Sequence, residues 1–228
     1  MVELLVKDYS LDTGNFQAKM QRELLLVQFK SAICISNAVF NGGIRQCRSV
    51  VNYSLNGKKD LEDSPVDYVR RIIKGLDVAP GDTVVLLTAV KPEKFMHSSY
   101  GRVHCFLSLG LDNAASPMDS LGYSGTGRTG TINIIVLTEV KLTEAALVDA
   151  YKTVVETKSF TLMEKGIKSV YTGNLATGTI TDAAVVASLT GGEEYIYAGT
   201  GTDIGSEISK AVYSAMRTAL ILEATSSE

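Results

Sequence analysis

Short strand-like runs outnumber helical segments in this chain, and that imbalance is the strongest constraint on its fold. Eight apolar runs rich in branched residues have the length of strands, whereas only three segments show helical periodicity. A doubly wound parallel sheet needs more crossover helices than this. The sequence therefore predicts an α+β fold, a layered sandwich of mixed or antiparallel sheets with flanking helices, for which α-β-β-α is one arrangement. The predicted strands cover residues 24–29, 33–40, 47–55, 82–90, 103–111, 131–140, 182–189 and 194–199.

The three helical segments carry their own start and stop signals. In the first, Ser64 is a suitable N-cap, Pro65 suits the first helical position, and Gly75 is placed to end the helix. The second covers about 143–165 and the third about 204–223, each with an apolar stripe at helical spacing. No internal repeat or linker divides the chain, so we expect a single domain over residues 1–228.

Composition argues against several classes of partner. The net charge of -3 gives no general attraction to nucleic acid or to an anionic membrane. No apolar run approaches the roughly 20 residues that span a bilayer, and the N-terminal MVELLVKDYS lacks a signal-peptide layout. Two histidines and no CxxC pair argue against a zinc centre, so we expect no metal. The chain has three cysteines, Cys34, Cys47 and Cys105. An odd number without CxxC spacing predicts reduced core thiols and a cytoplasmic location.

Small polar residues and glycines cluster where predicted strands begin or end. Glycine lets a backbone approach a bound group closely, and Asn or Thr side chains offer neutral hydrogen bonds. Such a lining suits a neutral ligand with amide groups, although each residue can equally be an ordinary turn or strand-end residue. The candidates are Asn41, Gly42, Gly43, Asn52, Asn113, Gly130, Thr131, Asn133, and, within the run 173–182, Thr177, Gly178 and Thr179.

Four titratable side chains are candidates for moving protons. Glu139 and Asp182 flank apolar strands, where burial raises a carboxyl pKa toward that of a general base. The alternative for both carboxyl groups is strand-end solvation or capping. His97 and His104 are each either a structural residue or a base.

A long polar segment separates two predicted strands. Residues 112–130 are rich in Gly, Ser and Asn, and they are too many for an ordinary connection. This predicts a functional or mobile segment. Its GTGRTG string precedes a strand and so lacks the helix N-terminus that would hold a phosphate.

Seven short blocks follow one another in an order that is more specific than any single block. They are NGG (41–43), VVN (50–52), LLTAV (86–90), LGLDNAASP (109–117), GTINIIVLTE (130–139), ATGTITDAAVVAS (176–188) and AGTGTDIGSEISKAVYSAM (198–216). Together they resemble the adenosylcobinamide amidohydrolase family over roughly residues 31–220. Members of that family act in corrinoid salvage, chiefly in archaea and some bacteria. They hydrolyse the amide that joins aminopropanol to a corrin propionate and give adenosylcobyric acid.

The resemblance implies the same activity here, with a cobalt-containing corrinoid as substrate and no further cofactor. One stretch departs from the family pattern. After the VVN block the family has a short Val-Pro segment that ends in an aromatic residue, whereas this chain has YSLNGKKD. The role of residues 53–60 is therefore open, one candidate being a loop that touches the nucleotide-loop side of the substrate.

A second, local resemblance concerns residues 130–187. This stretch is similar to the ornithine acetyltransferase and DmpA-type aminopeptidase group in the order of its features. A small residue precedes Thr131, and an apolar strand with an acidic end, a long helix and a Thr/Gly-rich turn ending in Asp follow. In that group the residue matching Thr131 is the nucleophile, freed by self-cleavage of the preceding bond. In this chain Glu139 or Asp182 would act as the base. Alternatively, Thr131 binds the amide while a carboxylate assists water.

The sequence thus predicts amide hydrolysis near Thr131. Asn133 and the NGG turn would donate hydrogen bonds to the developing oxyanion, and residues 112–130 would form a lid over the corrin. Two alternatives stay open: a self-processing DmpA-type aminopeptidase or acyltransferase, and a non-catalytic corrinoid carrier. The expected partner is a small corrinoid, without nucleic acid or membrane, and the helix stripes leave room for a homodimer.

Overall fold

The computed structural model describes residues 1–5, 8–56, 64–119 and 130–225 of the chain. Within these ranges the predicted excess of strands over helices is confirmed. The helices are α1 (Pro65–Lys74), α2 (Glu144–Glu164) and α3 (Asp203–Thr225). The strands are β1 (Val2–Leu4), β2 (Ser10–Asp12), β3 (Phe16–Gln21), β4 (Leu24–Ser36), β5 (Gly43–Ser54), β6 (Thr83–Thr88), β7 (Met96–Tyr100), β8 (Val103–Leu109), β9 (Ala114–Ala115), β10 (Ile132–Thr138), β11 (Lys141–Leu142), β12 (Gly178–Thr179), β13 (Ala183–Leu189) and β14 (Glu194–Tyr195).

The long strand β4 organises the main sheet because it serves two sets of neighbours. Its first half pairs with β3 and its second half with β13, while β5 pairs along both halves. The β4–β5 register shifts between Gln28 and Ala32. Among the described residues this gives a sheet of ten strands in the order β1-β7-β8-β10-β13-β4-β3-β2, with β5 and β6 branching from β4.

Side-chain alternation along β10 reveals how this curled sheet is layered. Ile132 and Ile134 pack with residues of α2 and α3. Ile135 and Leu137, on the opposite face, pack with residues of β3, β4, β5 and β6. A further cluster joins α1 to the outer face of β4, β5 and β6. The layers therefore run from α2 and α3 through two sheet layers to α1, which confirms the α+β sandwich and its α-β-β-α arrangement.

Parallel pairing between β10 and β13 positions the candidate site. Asn133 lies opposite Ala183, so the two strands begin at the same edge of the sheet. The residues that precede them, Thr131 and Asp182, are thereby brought to one place. The connection between the strands includes α2, the crossover that a parallel pair requires.

The helix signals in the sequence are confirmed. The Ser64 hydroxyl accepts a hydrogen bond from the Asp67 backbone N–H, and Gly75 follows the last residue of α1. In α2 the Thr143 hydroxyl accepts from the Ala146 N–H in the same way. Within the ranges described, no helix combines the length and the apolarity that a membrane crossing requires.

Some strand boundaries differ from the prediction. The predicted strands 24–29 and 33–40 are one strand, β4, which ends at Ser36. The predicted strand 194–199 reduces to β14. The sequence pattern missed β1, β2, β3 and β7, and also the two-residue strands β9, β11 and β12. In β3 the reason is visible, because Gln17, Lys19 and Gln21 alternate with buried residues and leave no continuous apolar run.

Cys34 and Cys47 are joined by a disulfide, so the prediction of reduced thiols is wrong for these two residues. They lie on adjacent strands, with Cys47 opposite Ala32 in the β4–β5 ladder and the two Cα atoms 6.5 Å apart. Only the strand register could reveal this proximity. Cys105 is free, and its burial raises the pKa of the thiol to about 12, which keeps it protonated.

We expect Ile135→Ala to lower the free energy of unfolding by about 2–5 kcal/mol, because the side chain lies between the two sheet layers and its loss leaves a cavity. Ile135 is 1% exposed, whereas Ile196 is 59% exposed and supplies the matched control, Ile196→Ala. Chemical denaturation of both variants measures the difference. Equal losses would contradict the layer assignment.

Candidate functional site

Two threonine hydroxyls share one carbonyl acceptor at the start of β10. Thr131 Oγ1 lies 2.7 Å from the Gly130 carbonyl oxygen and 2.9 Å from Thr181 Oγ1. The Thr181 hydroxyl donates to the same carbonyl oxygen at 2.8 Å. Thr131 is 6% exposed. Its hydroxyl is therefore held between two oxygen atoms, within hydrogen-bond distance of the Thr181 hydroxyl.

Gly130 permits the close packing of this loop. A Cβ at position 130 would lie 2.8 Å from both the Asp112 backbone nitrogen and the Gly110 carbonyl oxygen, and it would also collide with the Asn113 side chain. Asn113 is buried, and no described residue donates a hydrogen bond to its Oδ1. A buried amide oxygen without a donor is unusual, and it lies next to the residue that precedes Thr131.

Asp182 ties three elements together beside Thr131. Its Oδ1 accepts hydrogen bonds from the Ile132 backbone N–H at 3.1 Å and from the Thr179 hydroxyl at 2.5 Å. Its Oδ2 accepts from the Lys158 ammonium of α2. The side chains of Asp182 and Lys158 are each 14% exposed. The carboxylate thus connects the start of β10, strand β12 and helix α2.

The predicted run 177–179 belongs to the same neighbourhood. β12 pairs with β9, and the Thr177 N–H donates to the Ala115 carbonyl oxygen at 3.1 Å. The Thr177 carbonyl oxygen accepts from the Ser159 hydroxyl. A Cβ at Gly178 would collide with the Asp182 carboxylate, so the glycine is required there. This pairing holds Thr179 beside Asp182.

Sequence reasoning missed two residues of this site, Lys158 and Asn37. Lys158 stands in no motif, and the path of α2 alone brings it to Asp182. Asn37 donates from Nδ2 to the Asp182 carbonyl oxygen at 2.9 Å and accepts at Oδ1 from the Ala184 N–H at 2.8 Å. It follows β4 directly, and a polar residue at a strand end was the only available signal.

Asn52 and Asn133 lie inside the protein, between the two sheet layers. The Asn133 amide nitrogen donates to Asn52 Oδ1 and to the Leu87 carbonyl oxygen, both at 2.9 Å. Asn52 in turn donates to the Ser108 hydroxyl at 3.0 Å. Asn133 is 0% exposed, and both of its N–H donors are used. The structure therefore does not support the expected donation from Asn133 to an oxyanion.

The NGG turn closes the β4–β5 hairpin. The Asn41 amide donates to the carbonyl oxygens of Pro80 at 2.8 Å and Thr83 at 2.7 Å. Gly43 has φ +92°, and a Cβ at Gly42 would lie 2.7 Å from a carbonyl oxygen, so both glycines serve the turn. Within the described ranges no hydrogen bond joins this turn to Thr131, whose hydroxyl contacts Gly130 and Thr181.

Glu139 lies at the opposite end of β10. It follows Thr131 by eight residues, about 26 Å at the usual strand rise. Its Oε1 is 2.9 Å from His104 Nε2, and its Oε2 accepts from the Asn15 amide at 2.5 Å. The structure therefore separates Glu139 from Thr131 and Asp182, and its expected role at Thr131 has no support from its position.

The two histidines form a buried pair at this far end. His97 Nε2 lies 3.1 Å from His104 Nδ1, and His97 Nδ1 lies 2.9 Å from Glu3 Oε1 and 3.1 Å from the Tyr9 hydroxyl. Burial lowers the pKa of His97 and outweighs the hydrogen bond to the Glu3 carboxylate, which acts in the opposite direction. The pair joins β7 and β8 to the chain's first residues, which favours the structural interpretation of both histidines.

Only part of the predicted lid can be located. Residues 120–129, like residues 57–60 of the departing segment, lie outside the described ranges. Asp119 accepts hydrogen bonds from the Ser116 N–H at 2.7 Å, the Ser169 hydroxyl at 2.6 Å and the Thr172 hydroxyl. Desolvation raises the pKa of Asp119, but these hydrogen bonds outweigh it and lower the pKa overall. They fasten the start of the segment to the loop after α2.

Within the described ranges, no group of three or more His, Cys, Asp and Glu side chains is arranged to hold a metal ion. The absence of a metal requirement stays a prediction.

We expect the free energy of unfolding to fall as the pH drops below about 6.5, the ordinary pKa of histidine. In that range the unfolded chain binds a proton that folded His97, with its lowered pKa, does not bind. Denaturant titrations at pH 7.5 and 5.0 would compare the wild type with His97→Gln, whose side chain does not titrate. We expect a smaller loss of unfolding free energy for the variant, because its residue 97 binds no proton in either state. The exposed carboxylates contribute equally to both proteins. An identical pH dependence would contradict the lowered pKa.

The comparisons with known proteins agree with one another. A family model described as adenosylcobinamide amidohydrolase matches residues 8–228. A protein named adenosylcobinamide amidohydrolase from Methanosarcina mazei is 30% identical over 170 residues, which cover 70% of this chain and 76% of the relative. A protein of the same name from Halobacterium salinarum is 33% identical over 188 residues, or 79% of this chain and 77% of the relative.

A solved structure from Pyrococcus horikoshii is similar over 96% of this chain and 83% of its own chain, at 12% identity and a TM-score of 0.41. The family model and the two named relatives show that the chain belongs to the adenosylcobinamide amidohydrolase family.

Proposed function

We propose that the protein hydrolyses the amide bond between aminopropanol and the corrin side chain of adenosylcobinamide, and that the product is adenosylcobyric acid. Membership of the family supports this activity. The main observation that supports this site is the Thr131–Thr181 hydroxyl pair, which lies beside the partly buried Lys158–Asp182 ion pair. The corrinoid is the substrate, and the proposal requires no other cofactor.

In this proposal the Thr131 hydroxyl attacks the amide carbon. An ester forms between Thr131 Oγ1 and the corrin side-chain carbonyl, the C–N bond breaks, and aminopropanol leaves as the amine. The Thr131 proton passes to Thr181, 2.9 Å away, while the Thr181 proton passes to the leaving nitrogen. Water then cleaves the ester: its oxygen joins the carbonyl carbon, one of its protons restores the Thr131 hydroxyl, and the other is released to solvent as the acid ionises to the carboxylate.

Thr181 is the proposed proton relay because the two candidate carboxylates, Asp182 and Glu139, are engaged in other contacts. Three donors occupy Asp182, and Glu139 lies at the histidine pair. The family relationship favours corrinoid hydrolysis over the self-processing DmpA-type alternative. Release of aminopropanol separates hydrolysis from the carrier alternative, in which the corrinoid binds unchanged.

We expect Thr131→Ala to lower the rate of adenosylcobyric acid formation by at least about 10³-fold, because removing a nucleophile leaves only the residual catalysis of the site. Thr131→Ser, which keeps the hydroxyl, should retain measurable activity. Mass spectrometry of adenosylcobinamide incubated with each protein measures the conversion. The control is Thr190→Ala, at the exposed far end of β13.

Three outcomes decide this experiment. Full activity of Thr131→Ala would remove Thr131 as the nucleophile while keeping the enzyme. Binding of adenosylcobinamide by the wild type without release of aminopropanol would support the carrier alternative. Two fragments of the wild-type chain, divided between Gly130 and Thr131, would support the self-processing alternative.

We expect Thr181→Val to lower kcat by about 10²–10⁴-fold, because the side chain keeps its shape but can no longer relay a proton. Thr181→Ser should recover most of the rate, since it restores the hydroxyl. Steady-state kinetics of both variants provide the measurement. A valine variant with the kcat of the wild type would exclude the relay through Thr181.

A further inference from the structure

Lys158 is a partly buried cation that the mechanism above does not use. Its side chain is 14% exposed and forms an ion pair with Asp182. Lysine is rarely buried unless it is paired, because removing its charge from water is costly. The pair lies beside the reacting groups, since the other oxygen of Asp182 binds the backbone N–H of Ile132, the residue after Thr131.

The protein makes room for this ion pair with a glycine. A Cβ at Gly178 would lie 2.6 Å from Lys158 Nζ and would also collide with Asp182 Oδ2. Any other residue at position 178 would therefore displace the ammonium, the carboxylate or β12 itself. The backbone of β12 consequently forms one wall around the ammonium.

The ammonium has hydrogen-bonding capacity left over. A lysine side chain has three N–H donors, and among the described residues the one acceptor for Lys158 is Asp182. The donors expected to stabilise an oxyanion are engaged elsewhere: Asn133 in the sheet interior, and Asn41 at the hairpin turn. Amide hydrolysis still requires a donor at the oxygen where negative charge develops.

We propose that the Lys158 ammonium, held by Asp182, binds the carbonyl oxygen of the scissile amide and then the carboxylate that replaces it. This inference rests on the proposed function. When Thr131 attacks, the π electron pair of the carbonyl moves to its oxygen, and Lys158 stabilises the resulting negative charge. The pair returns as the C–N bond breaks, and the amine leaves with the relayed proton.

This role makes the site discriminate between substrate and product by charge. The amide is neutral and the carboxylate is negative, so the carboxylate binds the ammonium more strongly. Product affinity therefore reports on Lys158 separately from catalysis. Asp182 then acts as a positioning residue, which holds the ammonium and the start of β10 in one arrangement.

The test compares Lys158→Met, which removes the charge at similar length, with Lys158→Arg, which keeps it. We expect the methionine variant to lose about 10²–10³-fold in kcat with little change in KM. We also expect its affinity for adenosylcobyric acid to fall about tenfold or more, while its affinity for adenosylcobinamide changes little. The arginine variant should keep part of the product affinity. Lys152→Met, on the exposed face of the same helix, is the matched control.

A second variant distinguishes a direct contact of Lys158 with the substrate from a role that only neutralises Asp182. Lys158→Met leaves Asp182 as a partly buried charge without its cation, which alone can destabilise the fold. The double variant Lys158→Met/Asp182→Asn removes both charges, and its thermal unfolding should return toward that of the wild type. If Lys158 contacts the substrate, kcat and product affinity stay low in this double variant. Their recovery would overturn the proposal.

Failure of this inference is distinguishable from failure of the proposed function. If the wild type releases no aminopropanol, hydrolysis is excluded, and the two binding measurements still test Lys158. If the wild type is active and Lys158→Met matches it in kcat and product affinity, the role of Lys158 is excluded. Equal weakening of adenosylcobinamide and adenosylcobyric acid would also overturn the proposal, because no discrimination by charge would remain.

Discussion

The parallel pairing of β10 with β13 is the constraint on which the candidate site depends. Because parallel strands begin at the same edge, Thr131 meets Thr181 and Asp182 across a single ladder. An antiparallel pair would have placed these groups at opposite ends of the strands. The crossover that parallel pairing requires is α2, and it delivers Lys158 to the same place. One β-α-β segment therefore supplies the main chemical groups.

Polar side chains also occupy both ends of the space between the sheet layers, where they serve the fold. Asn52 and Asn133 connect the two layers near the start of β10, and His97 and His104 form a pair near its end. Buried polar groups are tolerated when they bind one another, and these do, except that Asn133 Oδ1 has no donor among the described residues. Asn133 is therefore bound to Asn52 in the sheet interior and lies outside the candidate site. Glu139 contacts His104, at a position remote from Thr131.

Stability alone does not explain the ion pair of Lys158 and Asp182. Desolvating two charges commonly offsets their attraction, and an apolar pair of similar size is often as stable. The proposed contact between Lys158 and the substrate accounts for the pair. Asp182 holds the backbone next to Thr131 and the ammonium at once, so one carboxylate sets the geometry of a nucleophile and a cation.

The sequence by itself determined what local chemistry decides. This includes the helix starts at Ser64 and Thr143, half of the described strands, the family, and the positions of Thr131 and Asp182 beside strand starts. Only the tertiary structure decided which of these residues meet. The disulfide of Cys34 and Cys47, the remote position of Glu139 and the arrival of Lys158 depend on strand register and on the path of a helix. Those are set by contacts between distant segments, which no local pattern of residues encodes.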